Sequence, residues 1–196
     1  MSNYDIGTYH LADNPQLFEP ARSNNFEFII SDIDELLPAG VDLPTEADYL
    51  KNCQDVIRLS VVKSSVPHFT LSEIEVKRGN NTLYFAGTPS FDAGTLTVND
   101  YIGAKTKDIL LAWQSKAYDV LTEKVHLATN YKKNCTLVEY TPDYDQVIRQ
   151  WELKGCWITK LSESDFDFET NDKRTVDVTI RYDKAIPIPT TVEEGA

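Results

Sequence analysis

Apolar residues that recur at every second position are the feature that most constrains the fold of this chain. The stretch from Arg174 to Asp183 shows it most clearly, because apolar and polar side chains alternate over its whole length. One predicted face carries Val176, Val178, Ile180 and Tyr182, and the other carries Thr175, Asp177, Thr179 and Arg181. This period of two is typical of a β-strand with one buried face and one solvent-facing face.

Similar stretches follow one another along the chain, with turn residues between them. Strands are predicted over residues 24–31, 55–63, 72–77, 82–86, 95–101, 135–140 and 147–153, and the alternation of acids and Phe over 165–169 predicts another. The sequence Arg78-Gly79-Asn80-Asn81 favours a hairpin turn, because Gly and Asn tolerate positive φ. We therefore expect successive antiparallel hairpins and not a βαβ series.

One segment has a helical period instead. From about residue 104 to 120, apolar residues such as Ile109 and Trp113 recur at helical spacing. The predicted fold class is mainly β: an antiparallel β-sandwich or barrel of two packed sheets with one flanking α-helix at about 104–120. Trp113 is expected to anchor this helix on a sheet, and Trp151 and Trp157 are expected to be core anchors of the last strands.

The length of 196 residues matches one folded domain of ordinary size. We assign residues 1–22 to an extended N-terminal arm, 23–186 to a single β domain and 187–196 to an extended C-terminal tail. Within the domain, residues 32–48 carry six acidic residues and no basic one, and they are expected to form a solvated surface loop.

The charge of the chain disfavours tight binding to nucleic acid. Lys and Arg number 19 against 31 Asp and Glu, a net charge of −12, whereas a nucleic-acid-binding face needs clustered cations to neutralise phosphates. The longest apolar run, Ile109 to Trp113, is five residues, against about 20 for a membrane-spanning helix. No membrane anchor is therefore expected.

No catalytic residue, metal site or cofactor is predicted. His10, His68 and His126 are far apart in the sequence and match no metal-binding pattern. Neither a Gly-rich phosphate loop nor a nucleophile-elbow motif is present. The sequence therefore favours a protein that is not an enzyme.

Two weaker interpretations stay open. Asp165 and Asp167 form an acidic pair of the kind that hydrolases use, although alternating acids on an exposed strand face explain them more simply. Cys53, Cys135 and Cys156 lack local pairing, so buried reduced thiols are expected, with a disulfide between subunits as the alternative.

Four parts of the chain carry a resemblance to a known family. They are Asn24–Phe28; Ser64–Pro67 followed by Ile74–Val76 and Phe85–Gly87; the helical residues Leu110, Trp113 and Tyr118; and the closing segments Trp151–Trp157 and Val176–Asp183. Together they resemble the tail tube proteins of contractile-tailed bacteriophages, which are related to the tube proteins of R-type pyocins and of the type VI secretion system. The resemblance spans about residues 24–184, and the closing segments are its most specific part.

This resemblance implies a structural protein. Subunits of the family form hexameric rings that stack into a hollow tube inside the sheath, and their inner sheets join into a barrel that lines the channel. The implied partners are further copies of the chain, the tail sheath protein, the baseplate tube initiator and the tail terminator. DNA would pass through the lumen without specific binding, and the implied location is the virion tail, assembled in the host cytoplasm.

Two sets of residues are expected to serve such an assembly. Val66, Pro67, His68 and Phe69 place apolar side chains in a loop that joins two strands, which is typical of a contact surface. In the family the corresponding loop touches the next ring, so these residues are the predicted inter-ring stacking loop.

The second set consists of acids on the polar faces of strands. Glu73, Glu75 and Asp177 are expected to face the lumen, because a wall of acids does not hold the phosphates of a passing DNA.

Three other functions stay open at this point. A baseplate tube initiator and a secretion-system tube subunit share the fold that the resemblance implies. A β-sandwich carbohydrate-binding module is also acidic and rich in aromatic residues, but it would present its aromatics in an exposed planar row.

Overall fold

The computed structural model describes residues 20–33, 53–169 and 171–189. The strands in chain order are β1 (Phe26–Ile30), β2 (Val61–Ser64), β3 (Phe69–Arg78), β4 (Asn81–Phe91), β5 (Gly94–Asn99), β6 (Tyr118–Asp119), β7 (Lys124–Val125), β8 (Lys133–Tyr140), β9 (Val147–Glu163), β10 (Thr175–Arg181) and β11 (Lys184–Ile188). The helices are α1 (Cys53–Ser60), α2 (Thr106–Ser115) and α3 (Ala128–Tyr131).

The body of the domain is built from antiparallel strands in the order β1-β8-β9-β10-β5-β2, with β11 also paired to β9. One half of this arrangement joins β1, β8, the first part of β9 and β11. Phe28 lies opposite Leu137, which lies opposite Trp151, so the three side chains share the face that points to the core. We call this half sheet A.

The other half joins the second part of β9 to β10, β5 and β2, and we call it sheet B. Val178 lies opposite Leu96, and each is 1% exposed, so the predicted apolar face of β10 is buried. On the outer face, Asp177 lies opposite Thr97, whose hydroxyl donates a 2.6 Å hydrogen bond to the Asp177 carboxylate. The alternation of β10 therefore separates a buried face from an outer face, as the sequence predicts.

Strand β9 belongs to both sheets and bends where it passes from one to the other. It is 17 residues long, with Gly155 at φ +69°. A Cβ at this position would lie 2.3 Å from Oδ2 of Asp183, whose carboxylate accepts a hydrogen bond from Lys132 Nζ. Only glycine combines the left-handed backbone with this close approach.

The helices close the core between the sheets. Ser60 in α1 and Thr106 in α2 are both buried and share a 3.0 Å hydrogen bond between their hydroxyls. Trp113 is 1% exposed, and its indole Nε1 donates a 2.7 Å hydrogen bond to the carbonyl oxygen of Tyr131. No helix among the described residues is long and apolar enough to cross a bilayer.

A cluster of charges ties α2 to the far end of β9. Lys107 Nζ lies 2.7 Å from Glu163 Oε2, and Arg174 Nη2 lies 2.8 Å from the same oxygen. The hydrogen bond from Lys107 lowers the pKa of Glu163 below its ordinary value. The guanidinium of Arg174 also lies 4.2 Å from the centre of the Phe166 ring.

The predicted fold class is confirmed: the chain is mainly β, with antiparallel strands and few helices. The strand predicted over 55–63 was wrong in its first part, because residues 53–60 form α1 and only Val61–Ser64 form a strand. The buried side chains of α1 are Cys53, Val56, Ile57 and Ser60, and this spacing of three, four and seven residues fits a helix and not a strand.

Two further expectations needed correction. The helix predicted at about 104–120 ends at Ser115, and residues 118–119 begin a short strand. Residues 165–169 form no strand, because no neighbouring strand pairs with them and Phe166 and Phe168 remain exposed.

The predicted arm over 1–22 and the acidic loop over 32–48 lie almost entirely outside the described residues. The first two residues of the predicted tail, Pro187 and Ile188, belong to β11, and all but one of the others lie outside the described part of the chain.

Candidate assembly interface

The hairpin formed by β3 and β4 differs from the rest of the domain because both of its faces are exposed. All ten residues of β3 are exposed, and in β4 only Gly87 and Phe91 are partly buried. The two strands are joined by a tight turn in which Gly79 adopts φ +62°, as the sequence predicts for this position.

One face of this hairpin is apolar. Ile74 lies opposite Phe85, and Val76 lies opposite Leu83. Their side chains are 52%, 54%, 43% and 45% exposed in that order, although residues of these types are usually buried. We call these four residues the apolar hairpin face.

The other face of the hairpin is mostly polar and contains two of the predicted lumen acids. Glu73 lies opposite Ala86, and Glu75 lies opposite Tyr84, which is 61% exposed. Lys77 follows on the same face two residues later. The alternation in β3 therefore separates an acidic and basic face from an apolar one.

A bulge in the hairpin depends on a close approach between its strands. The register shifts after Leu71, where the Ser72 hydroxyl accepts a 2.8 Å hydrogen bond from the Thr88 amide. A Cβ on Gly87 would lie 2.4 Å from the Ser72 hydroxyl oxygen. Glycine is therefore required at the point where the hairpin bends.

Val66, Pro67 and His68 of the predicted stacking loop precede β3, whereas Phe69 lies not in the loop but at the start of the strand, as its first residue. Val66 and Phe69 are each 57% exposed, and His68 Nε2 lies 3.2 Å from Oδ2 of Asp92. Pro67 is half-buried and lines a small cavity at the edge of the core.

Phe69 is connected to the core through a row of aromatic rings. Its ring centre lies 5.8 Å from that of Phe91, which in turn lies 6.2 Å from that of Tyr182. Tyr182 is 4% exposed, and this burial raises the pKa of its hydroxyl. One side of Phe69 therefore packs on its own domain, while more than half of the residue stays available to a partner.

The third predicted lumen acid lies apart from the other two. Asp177 is exposed on the outer face of sheet B, surrounded by threonines such as Thr97 and Thr179 and by Lys160. Glu73 and Glu75 belong to the separate hairpin, so the structure does not bring the three acids into one cluster.

The three tryptophans differ in their environments. Trp113 is buried, whereas Trp151 and Trp157 are half-buried. Trp151 packs against the edge of the core, and Trp157 contacts Tyr131 edge to face with ring centres 5.9 Å apart.

The charge of the chain is unevenly distributed. The described residues contain 18 Lys and Arg against 21 Asp and Glu, so their net charge is 18 − 21 = −3. The other residues, in 1–19, 34–52, 170 and 190–196, contain one Lys and ten acids, a net charge of 1 − 10 = −9. Most of the net negative charge therefore belongs to residues outside the described part of the chain.

Within the described part of the chain, no group of three or more His, Cys, Asp or Glu side chains is arranged to hold a metal ion. Cys53, Cys135 and Cys156 are buried free thiols. Asp165 and Asp167 lie in an exposed segment beyond the end of β9.

Sequence comparison identifies the family. A family model described as T4-like virus tail tube protein gp19 matches residues 61–185, which include the hairpin, sheet B, α2 and strands β8 and β9 of sheet A. The chain belongs to this tail tube family. The resemblance noted in the sequence is thereby confirmed.

Individual relatives agree with the family assignment. The tail tube protein gp19 of Enterobacteria phage T4 is 28% identical over 122 residues, which is 61% of this chain and 75% of the T4 protein.

Two cryo-EM structures of tail-like particles share the fold of this tail tube family member. One is the PVC sheath-tube complex of an extracellular contractile injection system in the extended state, with a TM-score of 0.63 and 16% identity over 90% of this chain and 98% of the matched chain. The other is the tube-terminating cap of the anti-feeding prophage. Its TM-score is 0.63, and it is 15% identical over 87% of this chain and 92% of the matched chain.

The sequence interpretation missed part of the candidate interface. It included Phe69 but not Leu83 or Phe85, although these residues continue the alternation of Ile74 and Val76 across the turn. The alternation signals an apolar face on the hairpin, and the structure adds that the described residues leave this face half-exposed.

Proposed function

We propose that this chain is the subunit of the hollow tail tube of a contractile-tailed phage, and that it assembles as hexameric rings that stack into a tube. Membership of the tail tube family supports the class of protein. The observation that carries the proposal for self-assembly is the apolar hairpin face, because four large side chains on a protruding hairpin need a partner surface.

The free energy gained by burying the apolar hairpin face against a partner favours a closed ring over a dimer. Covering the exposed half of Ile74, Val76, Leu83 and Phe85 contributes about 1 kcal/mol for each side chain. That sum only matches the lower end of the cost of association, which is about 4–15 kcal/mol. A ring in which every subunit has two neighbours, and a stack that adds axial contacts, supplies the remaining contacts.

The stacking contacts are assigned to the loop before β3 together with Phe69, the first residue of that strand. Val66, His68 and Phe69 present exposed side chains there, and the partly buried Pro67 fixes the loop on the domain. The aromatic row from Phe69 to Tyr182 makes this contact rigid, because movement of Phe69 would disturb a buried ring.

The channel wall is assigned to polar strand faces, with Glu73, Glu75 and Asp177 as the lumen-facing acids. The same faces carry Lys77 and Lys160 and several threonine hydroxyls, so the three acids leave the proposed acidic wall with a small excess of negative charge. Such a wall makes few strong contacts to phosphate, which suits DNA that moves through without being held.

The assembled tube is a component of the virion. Its proposed partners are further copies of the chain, the sheath protein around the tube, the baseplate tube initiator below and the tail terminator above. Matches to a sheath-tube complex and to a tube-terminating cap support this set of partners. We assign a structural role to the chain and no catalytic step.

Electron microscopy of the purified protein tests the proposal. We expect negative-stain images with rings or hollow tubes, and the variant Phe85→Asp should abolish them because it places a charge in the apolar hairpin face. Tyr84→Asp is the matched control, since it changes the adjacent and equally exposed residue on the opposite face of the hairpin.

Each outcome has a clear meaning. Tubes in the wild type and in Tyr84→Asp but not in Phe85→Asp support a tube subunit that assembles through the apolar hairpin face. Rings that never stack support a baseplate tube initiator instead. Tubes that form normally with Phe85→Asp would refute the assigned role of the hairpin, although the family assignment would stand.

A further inference from the structure

An apolar groove of about 600 Å³ opens at the side of the domain, between the edge strand β2 and the ends of β8 and β9. Its walls include the apolar side chains of Phe26, Val62, Val66, Leu137 and Trp151. These residues come from both sheets, so the groove lies at one open end of the sandwich.

The rim of this groove is positively charged. Arg22, Lys63 and Arg149 border it, and Glu139 is the single acid among the lining residues. Glu139 Oε2 lies 3.5 Å from Arg149 Nη1, so the lining carries three cations against one anion. The groove therefore suits an occupant that is both apolar and acidic.

The groove also borders an unpaired strand edge. Within the described residues, β2 stands at one end of the strand order and pairs only with β5. Val62, Lys63 and Ser64 of this strand line the groove, and an edge strand is a place where an extended peptide can pair.

The N-terminal segment, residues 1–19, is acidic and contains large apolar residues, which matches the charge and the apolar walls of the groove. It contains three acids, Asp5, Asp13 and Glu19, and no Lys or Arg. Leu17 and Phe18 are its last large apolar residues. The C-terminal residues 190–196 are a poorer match, because Val192 is their only large apolar side chain.

The chain also enters the domain at the groove itself. Ala21, Arg22 and Ser23 line the groove, so Phe18 is only three residues from its wall, a reach of at most about 10 Å. A tether this short gives a segment of the same chain an effective concentration of the order of millimolar. We propose that the groove is the docking site of the N-terminal segment of the same chain, with Leu17 and Phe18 on its apolar walls.

This docking has a consequence for an isolated subunit. The segment covers Trp151 and the free edge of β2, which would otherwise pair with the edge of another molecule. The inference concerns the single chain before any assembly, and the groove shares Val66 with the loop that we assign to stacking.

Hydrogen exchange of the full chain, followed by mass spectrometry, tests the proposal. We expect the amides of residues 61–66, at the edge of sheet B, to exchange about tenfold faster in the double variant Leu17→Asp/Phe18→Asp than in the wild type. The matched control is Tyr4→Asp/Ile6→Asp, which places the same charges farther from the groove and should leave these amides unchanged. The amides of β10 report on the global fold.

A cross-linking experiment keeps the proposal falsifiable if the double variant unfolds. In Phe18→Cys/Val66→Cys, mild oxidation should give a disulfide within one chain. In the control Phe18→Cys/Val125→Cys the second thiol lies on β7, which leads into the opposite end of β8 from the groove, and no such bond should form.

Three results would overturn the proposal. Unchanged exchange around the groove in Leu17→Asp/Phe18→Asp means that the segment does not dock there. Equal cross-linking to Val66→Cys and Val125→Cys means that the segment has no preferred site. Cross-links that join two chains, with protection that rises with protein concentration, assign the groove to the segment of a second copy.

Discussion

Strand β10 and the β3–β4 hairpin share a sequence pattern but not an environment. Apolar residues alternate with polar ones in both, yet Val176 and Val178 are at most 2% exposed, whereas Ile74 and Phe85 are more than 50% exposed. In β10 the apolar face packs on the core of its own domain. Alternation thus specifies that a face needs a partner surface, and it does not specify whether that surface belongs to the same chain.

The largest effect on stability is expected from a charge in the buried face of β10. Val178→Asp removes about 1.5–3 kcal/mol of apolar burial and adds an unpaired buried carboxylate, so we expect a loss of more than about 4 kcal/mol. Urea unfolding followed by circular dichroism measures this. The control Thr179→Asp places the same charge on the outer face and should cost little; similar losses in both variants would contradict the assignment of faces.

A smaller loss is expected at the bend of β9. Gly155→Ala forces a side chain onto a left-handed backbone and against Asp183, which we expect to cost about 1–3 kcal/mol. Gly103→Ala is the control, because nothing lies within 4 Å of a Cβ there. Equal unfolding midpoints for the two variants would show that the bend does not depend on glycine.

A still smaller and pH-dependent effect is expected for Glu163→Gln. The pKa of Glu163 is lowered in the folded state by the hydrogen bond from Lys107. The carboxylate therefore stabilises the fold above the pKa of the unfolded chain, and this contribution is lost as the pH falls through the lowered pKa of the folded state.

Unfolding curves of the wild type and Glu163→Gln should accordingly differ at neutral pH and converge in acid. Glu75→Gln on the hairpin is the control and should show no such convergence. A difference between Glu163→Gln and the wild type that persists in strong acid would contradict the ion-pair explanation.

The smallest effect on the isolated subunit is expected for Ile74→Asp, which sharpens the comparison with Val178→Asp. Ile74 is half-exposed on the hairpin, so the free energy of unfolding should change by no more than about 0.5 kcal/mol. A loss as large as that of Val178→Asp would show that the apolar hairpin face is already covered within its own chain.

Much of the body was predictable from local pattern. The period of two in β1, β5 and β10 and the helical spacing around Trp113 each coincide with an observed element. These elements have a strong contrast between their two faces, so burial and sequence agree.

The errors have identifiable causes. In α1, the β-branched residues Val56 and Ile57 favoured a strand, but Cys53 and Ser60 complete a helical period that burial between the sheets stabilises. Residues 165–169 alternate without forming a strand, because a strand needs a paired neighbour and the sequence of one segment does not show whether one is present.

The candidate interface was predictable only in part, because the sequence of one segment does not show which other segments lie beside it. Val66 was recognisable as an apolar residue in a loop, and Ile74 and Val76 as one face of a strand. Phe69 was also predicted in the loop, but it is the first residue of β3. That the apolar hairpin face is left half-exposed depends on the path of all the other elements. The sequence of the hairpin alone does not determine that path.

The bent strand β9 has a mechanical consequence for any particle that pushes on this domain. Leu153 in sheet A and Ile158 in sheet B are joined by the covalent backbone of β9, through the bend at Gly155. Hydrogen bonds to β8, β10 and β11 flank this strand, so we expect a force along β9 to load bonds in both sheets at once.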